Sequence, residues 1–138
     1  MSLLIKNGRI ITADADYMAD IFIEGESIKT IGTDLSIIAD KEIDATGKFV
    51  FPGGIDPHVH LDMPFMGTFS SDNYETGTRA ALFGGTTMVI DFVLQKQGNS
   101  LQAALDEWRS RSNDNCVADY SFHMAVTDFN ENTKKEIK

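Results

Sequence analysis

Residues 52–64 read PGGIDPHVHLDMP, and this stretch decides the fold prediction. Before it, short isoleucine-rich segments alternate with turn residues, which indicates part of an antiparallel sheet or sandwich. After it, apolar strand segments alternate with helical segments, and that order is typical of βαβ units with a parallel sheet. The predicted domains are therefore residues 1–52, a β-domain, and residues 53–138, an α/β domain.

Residues 1–52 contain two hairpin signals. Asn7-Gly8 favours the positive φ angles of a type I′ turn, and Glu24–Glu26 carries a glycine between two apolar runs. The predicted strands are Leu3–Lys6, Arg9–Thr12, Asp20–Ile23, Ser27–Ile31, Glu42–Asp44 and Lys48–Phe51.

Residues 53–138 change from strand to helix in turn. Asp72 is predicted to cap the first helix, and Gly84-Gly85 to end it. The predicted elements are a strand at Gly54–His60, a helix at Asp72–Phe83, a strand at Thr86–Phe92, a helix at Ser100–Asn113, a strand at Ala118–Val126 and a third helix within Thr127–Lys138. A closed (β/α)8 barrel needs about 200–250 residues. We therefore expect the front part of a longer protein, with a compact three-strand layer as the alternative.

Charge and composition exclude several classes of protein. The 138 residues carry 12 basic and 21 acidic side chains, a net charge of −9, and no basic patch to bind nucleic acid. The single cysteine, Cys116, rules out an internal disulfide and a Cys-rich zinc finger. No apolar run approaches the ~18 residues that span a bilayer. We expect a cytoplasmic protein with neither a nucleic-acid nor a membrane partner.

His58 and His60 are the candidate metal ligands. In a strand, residues two apart point to the same side, so both imidazoles would converge while Val59 faces away. Two imidazole nitrogens suit zinc, although a complete site needs three or four ligands. The alternative is a pair of ordinary polar residues at a strand end.

Three stretches together resemble the hydantoinase/dihydropyrimidinase family of the amidohydrolase superfamily. They are Ile5–Ile10, Pro52–Phe65 and Phe83–Phe92, and the resemblance extends over the whole chain. It implies the amino-terminal part of a (β/α)8 TIM-like barrel, incomplete in this chain, preceded by strands of a small β-sandwich. In that arrangement residues 1–52 are the sandwich portion and residues 53–138 begin the barrel.

The resemblance also implies a chemistry. His58 and His60 would bind one of two zinc ions, while a bridging carboxylated lysine, two more histidines and an aspartate are expected beyond residue 138. The complete protein would hydrolyse a cyclic amide, opening a hydantoin or dihydropyrimidine ring, as a homotetramer or dimer. The alternative is an incomplete fragment, or a scaffold-type relative, with no activity of its own.

The loop after the histidines bears on the substrate. Dihydroorotases carry an arginine and allantoinases usually an asparagine where this chain has Asp62, so an anionic substrate is disfavoured. Met63 and Phe65 are the candidate substrate-binding residues, with loop packing as their alternative role. Met66 stands where many relatives have a glycine.

The remaining chemically interesting residues receive structural interpretations. Asp91 is predicted either to orient a neighbour or to accept a structural hydrogen bond, and His123 to be a core residue. Cys116 has no base beside it in the sequence pattern and is not predicted to be a nucleophile. Trp108 and Phe83 are predicted to lie in the core.

Overall fold

The computed structural model describes residues 1–137, and these form two compact units. The first unit is Met1–Pro52 and the second begins at Gly53. None of the helices among the described residues has both the length and the apolar surface to cross a membrane.

The first unit is a mixed five-stranded sheet. β1 lies at its centre, with β2 and β3 joined antiparallel on one side and β4 and β5 paired parallel to β1 on the other. The antiparallel pairing predicted from the sequence is therefore confirmed for β2 and β3 and wrong for β4 and β5. The strands are β1 Ser2–Ile11, β2 Asp16–Glu24, β3 Ser27–Gly32, β4 Lys41–Asp44 and β5 Phe49–Val50.

Asn7-Gly8 is a bulge within β1, so the hairpin predicted there is wrong. Asn7 does adopt a positive φ of 60°, but the pairing with β2 only shifts register there and then resumes. The Asn7 amide donates to Asp20 Oδ1 at 2.8 Å, which satisfies the group that the bulge removes from the ladder. The second predicted hairpin is confirmed, with Gly25 at a φ of 62° between β2 and β3.

The second unit has a parallel three-stranded sheet, as predicted. β9 lies between β6 and β10, with α1 leading into β9 and α2 leading into β10. A short hairpin, β7–β8, was not predicted. The elements are β6 Gly54–Asp56, β7 Pro64–Phe65, β8 Thr68–Phe69, α1 Tyr74–Phe83, β9 Thr86–Leu94, α2 Leu101–Ser112, β10 Asp119–Ala125 and α3 Glu131–Glu136.

Helix α1 is capped by Asn73, and the predicted cap at Asp72 is wrong. The Asn73 side chain accepts from the Thr76 amide at 2.9 Å, and the Thr76 hydroxyl accepts from the Asn73 amide at 3.2 Å. This reciprocal pair is a capping box built from Thr in place of the usual Glu. Gly84 ends the helix as predicted.

The core of this unit lies between the sheet and helices α1 and α2. Its buried residues are Leu61, Tyr74, Val89, Val93, Ala104 and Trp108. Trp108 is buried as predicted, but Phe83 is 89% exposed. At 100° per residue Phe83 lies roughly 180° around α1 from the buried Tyr74, so it points away from the core.

Candidate functional site

The two candidate ligands follow β6 and do not belong to it. β6 ends at Asp56, so the strand predicted over Gly54–His60 is too long. Pro57 has no amide hydrogen to donate to the ladder, and the regular pairing ends there. The Val59 amide still donates to the Ile90 carbonyl at 3.1 Å, which keeps the segment alongside β9.

His58 and His60 nevertheless converge on one side. Their Nε2 atoms lie 3.2 Å apart, and their rings meet nearly edge to face at 89°. Both side chains are exposed, whereas Val59 packs against the core cluster. The Phe92 ring supports both imidazoles, with centroid separations of 4.5 Å to His58 and 5.4 Å to His60.

This spacing fits joint ligation of one cation. Two nitrogens bound tetrahedrally at a Zn–N distance of about 2.05 Å lie roughly 3.3 Å apart, and the observed separation is 3.2 Å. A hydrogen bond between neutral rings has a similar length. Within residues 1–137 no cluster of three His, Cys, Asp or Glu side chains could complete a site. The described residues therefore supply two ligands of a larger set.

His123 lies on the same side as the two candidate ligands and is exposed, so its predicted place in the core is wrong. Its ring contacts Phe92, with centroids 4.9 Å apart, and its Nε2 lies 3.0 Å from the Pro57 carbonyl. Alternation along β10 could have located it. Tyr120, Phe122 and Met124 pack on the core cluster, which turns His123 to the opposite face.

An apolar groove brings His60 together with Met63 and Phe65, the two predicted substrate-binding residues. It has a volume of about 550 Å³, and its remaining lining comes from Thr68, Phe69, Ser70 and Leu94. Met63 is 8% exposed and Phe65 64% exposed. Phe65 is therefore the more available of the two for contact with a ligand.

The groove wall is the unpredicted β7–β8 hairpin. Met66 and Gly67 form its two-residue turn, with φ angles of 48° and 80°, as a type I′ turn requires. Met63 and Ser70 fix its base, since each backbone amide donates to the other residue at 2.9 Å. Non-glycine residues adopt such φ angles at a cost, so Met66 holds a strained position.

Asp91 is fully buried and accepts three hydrogen bonds. Its donors are the Tyr74 hydroxyl at 2.8 Å, the Phe92 amide at 2.7 Å and the Leu61 amide at 3.2 Å. Burial raises the pKa of this carboxyl, while the three donors oppose the rise. Of the two roles considered from the sequence, the acceptance of structural hydrogen bonds is observed for Asp91.

Asp62 lines a different, polar cavity of about 280 Å³, together with Tyr74 and Arg111. Its carbonyl accepts from Arg111 Nη1 at 2.9 Å. The groove beside His60 has no lining contribution from Asp62.

The chain is similar in sequence to a known family of enzymes. The model of the Amidohydrolase family matches residues 49–135. A D-hydantoinase of Geobacillus stearothermophilus is 47% identical over 137 residues, covering 99% of this chain and 29% of that protein. A dihydropyrimidinase of Rattus norvegicus is 43% identical over 141 residues, covering 99% of this chain and 27% of that protein. The chain thus spans less than a third of the length of these relatives.

Solved structures agree with the sequence comparison. The crystal structure of dihydropyrimidinase from Brevibacillus agri NCHU1002 has a TM-score of 0.96 at 48% identity, covering 99% of this chain and 30% of that one. An L-hydantoinase from Arthrobacter aurescens is more distant, with a TM-score of 0.73 at 26% identity, covering 87% and 27% of the two chains. These likenesses confirm the predicted fold, the amino-terminal part of a TIM-like barrel preceded by sandwich strands.

Proposed function

Because the chain belongs to the amidohydrolase family, and its relatives include D-hydantoinases and dihydropyrimidinases, we propose that the complete protein hydrolyses a ring amide bond. The substrate class is a hydantoin or a dihydropyrimidine. The observation that carries this proposal is the His58–His60 pair, with Nε2 atoms 3.2 Å apart beside an apolar groove. An ion held there would adjoin the space for a substrate.

His58 and His60 would hold one divalent cation, with zinc as the favoured metal for nitrogen ligands. The family resemblance implies a second ion as well. Residues beyond 138 would supply the bridging carboxylated lysine, two histidines and an aspartate. When bound, such ions make a coordinated water nucleophilic near neutral pH and polarise the scissile carbonyl. The Phe92 ring beneath both imidazoles restrains their orientation, which favours a preformed pair.

The groove would bind the substituent of the substrate ring. Met63, Phe65 and Leu94 offer apolar surface next to His60, so an aliphatic or aromatic substituent gains burial there. The groove has no lysine or arginine among the residues that line it. A neutral ring therefore suits it better than a carboxylate-bearing one.

The remaining expectations also rest on the family. We expect a homo-oligomer, a tetramer or a dimer, in the cytoplasm. The 138 residues alone are expected to be inactive, because two ligands do not make a binuclear site.

The direct test is ring-opening activity of the complete protein on hydantoin and dihydrouracil. The variant His58→Ala/His60→Ala should lose turnover and keep its fold, because neither side chain belongs to the core cluster. Lys29→Ala, an exposed change in the other unit, is the control and should retain full activity. Unchanged turnover in the double variant, or a wild-type protein that opens neither ring, would contradict the proposal.

A further inference from the structure

The backbone that carries the two candidate ligands is held mainly by groups outside its own strand. Besides the His58 amide, which donates to Asp56 Oδ1 of β6, three contacts with other elements fix it: Pro57 O with His123 Nε2, the Val59 amide with Ile90 O, and the Leu61 amide with Asp91 Oδ2. The last contact is the one nearest to His60. It is also the only one of the three made by a fully buried carboxylate.

Asp91 cannot turn away from this contact without leaving donors unpaired. Its Oδ1 accepts from its neighbour Phe92, and its Oδ2 accepts from both Leu61 and Tyr74. Tyr74 is 1% exposed and lies on α1, so this helix holds the carboxylate through the Tyr74 hydroxyl. The chain of contacts therefore runs from α1 through β9 to the residue after His60.

We propose that Asp91, held by Tyr74, is a positioning residue that fixes the backbone at Leu61. It thereby keeps the His60 imidazole close enough to the His58 imidazole for both to bind one metal ion. This inference rests on the proposed function, because it concerns the same metal-binding pair. Neither Asp91 nor Tyr74 is assigned a contact with the metal or with the substrate. Their contribution passes through the Leu61 amide.

Asn is an informative replacement at position 91 because it has nearly the same shape. One carboxylate oxygen becomes an NH2 group, which must face either the Leu61 amide or the Phe92 amide. In either orientation two donors oppose each other at one buried position, so the set of three hydrogen bonds to residue 91 is broken while the side-chain volume stays. Tyr74→Phe is milder, since it keeps the ring and removes only one of the two donors to Oδ2.

Thr78→Val is the matched control. Thr78 lies in the same helix, is as fully buried as Asp91, and joins the Tyr74 carbonyl to the Val117 amide. Its loss removes buried hydrogen bonds, but the Tyr74 hydroxyl and the Leu61 amide keep their contacts with Asp91. A merely structural contribution by Asp91 would therefore resemble the effect of Thr78→Val.

The experiment uses the complete protein, stripped of metal and titrated with zinc against a competing chelator. Hydrogen exchange at the Leu61 amide is measured on the metal-free protein. We expect Asp91→Asn to weaken zinc binding by about 10–100-fold and to speed exchange at Leu61. Tyr74→Phe should weaken binding in the same direction but by less than Asp91→Asn, and Thr78→Val should change neither quantity.

Several outcomes would overturn the inference. They are zinc affinity within twofold of wild type in both Asp91→Asn and Tyr74→Phe, unchanged exchange at Leu61, or an equal loss of affinity in Thr78→Val. If Asp91→Asn does not fold, Tyr74→Phe against Thr78→Val decides alone. Failure of the proposed function gives a different result. In that case the wild-type protein would not bind zinc, or its zinc binding would be unaffected by replacement of His58 and His60.

Discussion

Gly77 of α1 packs directly against Leu61, the residue that follows the second candidate ligand. A Cβ atom at position 77 would overlap Leu61 Cδ2 and press on Cδ1 at 3.3 Å. Leu61 belongs to the buried core cluster, so its side chain has little room to move. The absence of a side chain at Gly77 therefore lets the helix approach the segment that carries the histidines.

Gly77→Ala should lower the free energy of unfolding by about 1–2 kcal/mol, since overpacking outweighs the roughly 1 kcal/mol gain in helix propensity. Chemical denaturation measures the change. In a Leu61→Val background, which lacks the Cδ atoms, the same change should become neutral or stabilising. An equal loss in both backgrounds would show that the Leu61 contact is not its cause.

Phe65→Ala should change substrate preference more than overall turnover. It should reduce the ratio of kcat/KM for 5-benzylhydantoin to that for hydantoin by about tenfold, because apolar contact with the substituent is lost. Phe49→Ala is the control, since Phe49 is an exposed phenylalanine of the other unit. An unchanged ratio for Phe65→Ala would remove the groove from the substrate site.

Asp20 should contribute to the loss of stability in acid. The Asn7 amide, with a further bond from the Leu35 amide, holds the pKa of this carboxyl below its ordinary value. A lowered folded-state pKa stabilises the protein above the unfolded pKa of about 3.9, and this contribution is lost as pH falls through the folded value.

In Asp20→Asn, one of the two amides faces an NH2 group, so the free energy of unfolding at pH 7 should fall by about 1–3 kcal/mol. The decline in stability between about pH 5 and pH 3 should also become shallower than in wild type. Urea unfolding at several pH values checks both effects. A parallel decline in the two proteins would contradict the assigned role.

The Cys116 thiol should react slowly with disulfide reagents near pH 8. Burial raises the pKa of its thiol to about 11 from an ordinary value of 9.0, so roughly a hundredfold less thiolate is present at pH 8. Modification by a disulfide reagent should be slow in the native protein and fast in the same protein unfolded in urea. Equal rates would show an accessible, ionisable thiol.

Patterns that depend on neighbours along the chain predicted much of this fold. Apolar runs and the turn residues between them located β2, β3, β9 and β10, and the stripe from Leu101 to Trp108 located α2 with its buried face. The parallel order of β6, β9 and β10 followed from the alternation of strand and helix.

The predictions that were wrong concern features that depend on contacts between residues distant in sequence. Asn7-Gly8 has the φ preference of both a hairpin turn and a bulge, and only pairing with Asp20 and β4 decides between them. Asp72 and Asn73 are both good N-caps, and Thr76 selects Asn73 by closing the capping box.

The candidate site was predicted in part for the same reason. The spacing of His58 and His60 identified them as candidate ligands, although the strand predicted to align them ends before Pro57. Phe92 and His123 come from other elements, so only the folded sheet shows that they lie beside the pair.

The central claim is that His58 and His60 coordinate the same metal ion. Anomalous X-ray scattering at the zinc edge, from crystals of the complete protein, tests it most directly. We predict a peak about 2.1 Å from both Nε2 atoms. A zinc peak elsewhere with none between the two rings, or rings that diverge in the metal-loaded crystal, would contradict the account.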